Sequence, residues 1–257
     1  MEILTKLVIP TTQGLAYLTQ QAAVLALMAA SSKKIDITTS LSILEVSHIT
    51  YVNGDACDLE SYVQSRYQCT KDASEIKEFE VESISSKMAD AAVKFEVLST
   101  PLKNPLKLVL PTQASEFSVY LEGTFVMYNY ARMATLERNY RDSISKGVYP
   151  AQPQPQDIDY FLLNDEDEWE LLYSYILLYP SMLRDATKLT GSIIATNTMN
   201  KLPQFLIKLC HLFSSYYSRV KILLPPEPHL FPLIHARMTL VLFNGLQILG
   251  ISPLEKL

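Results

Sequence analysis

A chain of 257 residues, 48% hydrophobic and 19% charged, has room for one large domain or two modest ones and enough apolar mass for a substantial core, which excludes global disorder. Seven glycines argue against a Gly-rich phosphate-binding enzyme, and a formal charge of -5 argues against nucleic-acid binding by the chain taken whole, because neutralising phosphates needs Lys and Arg. The distribution matters more than the sum: from 171 to the end, eight bases (Arg184, Lys188, Lys201, Lys208, Arg219, Lys221, Arg237 and Lys256) stand against three acids (Asp185, Glu227 and Glu255), a local balance of +5. The acidity lies in the first half and in the run Asp157 to Glu170.

Gly14 to Ser31 reads as a helix rich in Ala, Leu, Met and Gln. Within it the apolar stretch Leu15 to Ala30 contains Thr19, Gln20 and Gln21, is too short to span a bilayer, and starts too late for a signal peptide. Ser42 to Val52 is β-branched and partly alternating, which predicts a strand, with Asn53-Gly54 as a turn. Asp58 is expected as the N-cap of a helix over Leu59 to Cys69. Ser74 to Val97 is a long helix whose dry face carries Ile76, Phe79, Ile84, Met88, Ala91, Ala92 and Phe95. Pro101, Asn104, Pro105 and Pro111 mark a linker or an irregular crossing segment.

From there the pattern is helical. Ser115 to Lys146 is a long periodic helix with Gly123 as a possible bend, and Gly147 to Pro155 is an exposed, extended loop. Asp165 opens a helix through Leu178, with acids in the first turn favouring the dipole, and Pro180 restarts the chain in another short helix. Asn197 to Lys221 and His229 to Leu249 are amphipathic helices joined by Leu224-Pro225-Pro226. Antiparallel helices with short connections make a bundle. Cys57, Cys69 and Cys210 have no metal-ligand or disulfide-framework spacing, which suits a reducing compartment, and the expectation is a soluble, cytoplasmic protein.

Three blocks carry a family resemblance. Gly123 to Leu136 resembles the Gly-Pro-Tyr-Leu-Gln-Tyr-Ala-His-Ala-Arg helix of arginyl-tRNA synthetases, with Phe125, Tyr128 and Arg132 on matching positions and Tyr130 in place of the histidine. Asp165 to Leu172 resembles that family's acidic helix opening. Leu212 to Val220 is similar to its Phe-x-x-Tyr-Tyr-x-x-x-Arg-Val region, and Ala236-Arg237 with Gly245 to Ile251 resembles the stretch that names the DALR domain, although Ile234-His235-Ala236-Arg237 stands where Asp-Ala-Leu-Arg is expected. Ala91 to Ser99 adds a weaker likeness to the segment before the anticodon domain. The details Arg-Met-Ala-Thr-Leu (132 to 136) and Ser-Ser-Tyr-Tyr-Ser-Arg-Val (214 to 220) look closer to a non-synthetase branch found in animals.

The resemblance implies a mostly α fold: residues 1-110 a small, degenerate α/β remnant of a class I synthetase-like domain with a connecting helix, and 111-257 a DALR-type anticodon-binding helical bundle. It implies an adaptor that binds arginine tRNA and presents it to a tRNA 3-methylcytidine methyltransferase, with no cofactor, metal, membrane or DNA. Synthetase chemistry is not expected. His48 is followed by Ile49 and Thr50, not by the Gly-His of a His-x-Gly-His element, and Ser85-Ser86-Lys87-Met88 lacks the second lysine of the mobile signature loop and falls inside a helical pattern. A protein-interaction scaffold that has lost RNA binding, and a synthetase fragment, are the other readings.

The candidate RNA-binding residues are Tyr128, Arg132, Arg138, Arg141, Tyr216, Tyr217, Arg219, Lys221 and Arg237. Arg132, Arg138 and Arg141 are expected roughly on one side of their helix, tracking phosphates or forming a solvated face with Glu137 and Asp142. Tyr128 and Tyr130 either stack on bases or are buried with tethered hydroxyls. Phe213 is expected in the core, while adjacent Tyr216 and Tyr217 cannot both face inward, so one meets solvent or an unstacked base. Arg219 and Lys221 close a helix and suit its dipole; Arg237 is a structural tie or an RNA contact. His211 and His235 lack a nucleophile partner. Glu166, Asp167, Glu168 and Glu170 read as a capped helix start that faces away from RNA or meets a basic protein.

Overall fold

The computed structural model describes residues 7–11, 41–45, 49–52, 59–72, 81–102, 104–109, 122–151, 153–154, 157–188, 194–195, 198–223 and 234–254. The helix expected over Gly14 to Ser31, the Asn53-Gly54 turn, the Asp58 cap, His48, Pro111 and the Leu224-Pro225-Pro226 connection lie outside these residues.

The described strands all pair in parallel. β1 (Leu7–Thr11) runs beside β2 (Leu41–Glu45) from Leu7↔Leu41 to Thr11↔Glu45, and β5 (Ile194–Ala195) joins β2 through Ile43↔Ile194. β3 (Ile49–Val52) pairs with β4 (Leu106–Val109). The single strand expected over Ser42 to Val52 is therefore divided between two sheets, and β4 occupies part of the segment expected to be a linker. Both departures have one cause. Parallel partners are joined by long crossovers, so pairing is fixed by residues distant in sequence and leaves little local trace.

α1 (Leu59–Asp72) runs three residues past its expected end and packs on α2 (Val81–Leu98). A polar knot fastens the two. Arg66, only 1% exposed, directs Nη2 to Glu96 Oε2 at 2.8 Å, and both Nε and Nη2 to Tyr62 Oη at 3.0 and 2.8 Å, while the Tyr62 hydroxyl donates to Glu96. A buried ion pair is tolerable when both partners are hydrogen-bonded in this way, and removing one of them is strongly destabilising.

α3 (Glu122–Ser145) crosses α2 at a point where side chains are excluded. A Cβ on Gly123 would lie 2.4 Å from the Ala91 carbonyl oxygen. Gly123 thus serves helix–helix approach, and the stretch 115–121 that would precede a bend there lies outside the described residues. At its other end, Gly147 takes φ +71, with its N–H on Ile144 O and that of Val148 on Ser143 O, both 2.9 Å, the left-handed closure typical of helix C-termini. The following loop is less exposed than expected, because Tyr149 is buried and stacks on Tyr140 at 5.8 Å.

A 3-10 turn, Tyr160–Leu162, leads to α4 (Glu166–Glu170), whose Asp165 cap and Glu168 form the reciprocal capping box that the acidic opening foreshadows. The helix continues as wider turns over Leu171–Leu177. α5 (Tyr179–Thr187) follows, with Pro180 in its first turn as expected, then α6 (Lys201–Arg219) and α7 (Ala236–Ile248). α3, α6 and α7 share a core that includes Met127, Met133, Leu206, Phe213, Met238 and Leu246. His235 sits inside it, 5.7 Å from the Phe213 ring and 6.0 Å from that of Tyr216, and burial pushes its pKa down to about 3.

Two outcomes follow. Gly123→Ala gains about 1 kcal/mol of helix propensity but meets backbone, where overpacking costs roughly 1–3 kcal/mol, so chemical denaturation should show a net loss. His235 refuses a proton that the unfolded chain accepts below its ordinary pKa of 6.5, so stability is full above that pH and falls as pH drops toward about 3. The linked loss is roughly 1.4 kcal/mol per pH unit. Melting curves from about pH 7 to about pH 5 should fall less steeply in His235→Asn than in the parent.

Candidate nucleic-acid interface

Three of the side chains singled out in the sequence meet on the seam between α3 and α6. Tyr128 and Arg132 are four apart on α3 and therefore stack along one face. Tyr217 reaches across from α6. The Arg132 guanidinium carbon lies 4.6 Å from the Tyr128 ring centroid and 4.9 Å from that of Tyr217, and Nη2 donates to Tyr128 Oη at 2.6 Å. Tyr217 rests on core Phe213 at 5.5 Å. Each exposed cation–π contact contributes about 0.5–1 kcal/mol. The larger consequence is preorganisation, because an arginine side chain carries about 2 kcal/mol of rotamer entropy and this one is already ordered before any ligand arrives. Tyr128 is 41% exposed, so the clamp opens to solvent.

Elsewhere along the boundary, Phe125 of α3 and exposed His211 of α6 place their rings 4.7 Å apart, and Lys208 is exposed one turn earlier on α6. His211 lacks a nucleophile partner and is a surface histidine, and its sequence neighbours do not place it at this boundary. Its signal is the pairing of two helices, which no local pattern records.

The adjacent tyrosines separate as expected. Tyr216 is fully buried, its hydroxyl donating to Glu168 Oε1 at 2.6 Å, and burial together with that carboxylate raises its pKa. It belongs to the core and leaves the set of residues that can touch RNA. Tyr130 is buried too. Arg219, expected as a phosphate contact, is held by Asp165 at 3.3 Å and by Asp167, so its charge is matched by the acidic start of α4. Lys221 is exposed just beyond α6.

The three arginines of α3 do not form one stripe. At about 100° per residue Arg138 lies about 240° and Arg141 about 180° around the helix from Arg132, which corrects the expectation of a shared side. Both are exposed, and Arg141 pairs with Glu137. Arg237 lies 6.0 Å from the Tyr160 ring and lines a separate cavity with Trp169 and Tyr173. Ser85 to Met88 is a regular part of α2 with Ser85 buried, not a mobile loop. Burial raises the pKa of the Cys210 thiol. Among the described residues no three His, Cys, Asp or Glu side chains gather as metal ligands, and no helix is long and apolar enough to cross a membrane.

Comparison with known proteins adds three findings. Residues 126–257 match the model of the DALR anticodon binding domain. The chain is 39% identical over 176 residues to the DALR anticodon-binding domain-containing protein 3 of Mus musculus, covering 64% of this chain and 32% of that protein, and 32% identical over 231 residues to its namesake in Danio rerio, covering 85% and 41%. It thus spans about a third to two-fifths of the length of these relatives. In fold it is similar to the arginyl-tRNA synthetase of Plasmodium falciparum, with a TM-score of 0.66 at 17% identity over 99% of this chain and 42% of the synthetase.

The two tyrosines should part in measurement. Tyr216→Phe leaves the buried Glu168 oxygen without its donor and should lower the unfolding free energy by about 1.5–3 kcal/mol in urea titrations. Tyr217→Phe should change it by less than about 0.5 kcal/mol.

Proposed function

The chain belongs to the DALR anticodon-binding domain family, and from that premise we propose that it binds arginine tRNA through the anticodon stem-loop and presents it to a tRNA 3-methylcytidine methyltransferase, without catalysis of its own, in the cytoplasm. The observation that carries the RNA half is the clamp on the α3–α6 seam. It sets a cation, which attracts phosphate, between two phenol rings, on whose class of surface unstacked bases pack. Lys221 lies exposed just beyond α6 and adds positive charge there, whereas Lys208, about 180° around α6 from Tyr217, contributes to long-range attraction. Arg138 and Arg141 project from other sides of α3 and contribute to long-range attraction more than to the clamp. The arginine identity and the methyltransferase rest on the likeness to the adaptor branch and to synthetases, not on a contact.

Electrophoretic mobility shift with an arginine tRNA beside an unrelated tRNA tests the proposal. Binding should favour the arginine tRNA and weaken steeply with salt, as counterion release requires. Arg132→Ala removes one phosphate-competent charge and unstacks both rings, and should weaken binding by about 1–3 kcal/mol, roughly tenfold or more. Lys221→Ala should weaken all tRNAs alike and shallow the salt slope by about 1. A chain that binds no tRNA with or without added methyltransferase, or an Arg132→Ala variant that binds as the parent does, would exclude this function.

A further inference from the structure

A second site shares no residue with the clamp. Tyr160, Phe161, Trp169, Tyr173, Leu177 and Arg237 are among the residues that line an open cavity of about 480 Å³. Its wall is aromatic and ordered. Trp169 stacks on Tyr173 at 5.7 Å, and the 3-10 turn that carries Phe161 is pinned by Asp159 Oδ1 accepting the Phe161 N–H at 3.0 Å. Phe161 is nonetheless 91% exposed, and Tyr173, Leu177 and Leu178 are each more than half exposed. The wide turns over Leu171–Leu177 close by five-residue hydrogen bonds, as from Leu178 N–H to Tyr173 O, and such turns are rare and frequent at functional sites. A contiguous apolar surface held in this way marks an interaction site.

Charge decides what fits it. Between Lys146 and Arg184 the sequence holds seven carboxylates and no lysine or arginine. Asp165 and Asp167 face Arg219, and Glu168 is buried, but Asp157, Asp159, Glu166 and Glu170 are exposed on the turn and helix that form the wall. On α4, Glu166 and Glu170 neighbour Trp169 and Tyr173 at helical spacing of three. Arg237 is the one cation among the lining residues. A polynucleotide would bring phosphates against these carboxylates, whereas a basic polypeptide gains from them.

We propose that this cavity docks a segment of a partner protein in which an aromatic or aliphatic side chain enters the pocket and flanking lysines or arginines meet Asp157, Asp159, Glu166 and Glu170. The aromatic walls supply the anchor pocket typical of interface hot spots, and the carboxylates select charge and orient the segment. The site does not depend on tRNA binding by the clamp.

Trp169 is the chain's single tryptophan and lines the cavity, so its fluorescence reports occupancy. The experiment pans a displayed random-peptide library against the full chain and titrates the enriched peptides, synthesised singly, into it. Enriched sequences should share an apolar side chain with Lys or Arg close by and should shift Trp169 emission. Affinity should fall by about tenfold in both Phe161→Ala and Glu170→Lys. Both substitutions are at exposed positions, and matched circular dichroism and melting curves establish that each variant is folded. Absence of enrichment, enriched peptides without basic residues, or affinity unchanged in the two variants would overturn the proposal. So would a single-stranded RNA oligonucleotide that shifts Trp169 emission more tightly than the peptides, since the cavity would then be an RNA site.

Discussion

One buried carboxylate holds the candidate interface in register. Glu168 Oε2 accepts the Asn164 and Asp165 amides at 2.8 and 3.1 Å, closing the start of α4, and Oε1 accepts the Tyr216 hydroxyl from α6. A charged acceptor at a helix N-terminus is favourable in itself, and the same charge buried without donors would be costly. The arrangement therefore fixes the rotation of α6. With Tyr216 tied inward, Tyr217, one residue and about 100° further round, turns toward α3 and meets Arg132. The same docking brings Asp165 and Asp167 to Arg219. Which aromatic is presented and which cation is neutralised follow from a single set of hydrogen bonds.

That arrangement gives meaning to the uneven charge of the chain. A net charge of -5 counts against an RNA-binding protein only if charge is spread evenly. Here the clamp cation, Lys208 and Lys221 lie on or beside α3 and α6, while the carboxylates cluster on the turn and helix around the aromatic cavity. The clamp presents a cation and the cavity rim presents carboxylates, and the two suit ligands of opposite sign.

The front of the chain bears on the candidate interface through packing. Its described strands pair in parallel, as in α/β folds, and β5, far along the chain, returns to complete the first sheet. The Arg66–Tyr62–Glu96 knot fixes α1 to α2, and α2 in turn meets α3 at Gly123. Through that contact the front half helps to position the helix that carries Tyr128 and Arg132.

Elements whose physics is local were legible in the residues alone. The helix start at Asp165, Pro180 in a first turn, the amphipathic α6 and α7, and the rule that Tyr216 and Tyr217 cannot both face inward are all written within a few residues. Family likeness in three ordered blocks then gave the bundle. Packing set the rest, because the rest depends on pairs distant in the chain. It split one β-branched run between two sheets, made Gly123 a crossing point between helices, and paired Arg219 with two carboxylates from α4. It chose Tyr217 over Tyr216 and set Arg132 between two rings from different helices. Residue type states what a side chain can do, but a rotation of α6 by one residue would have exchanged the two tyrosines.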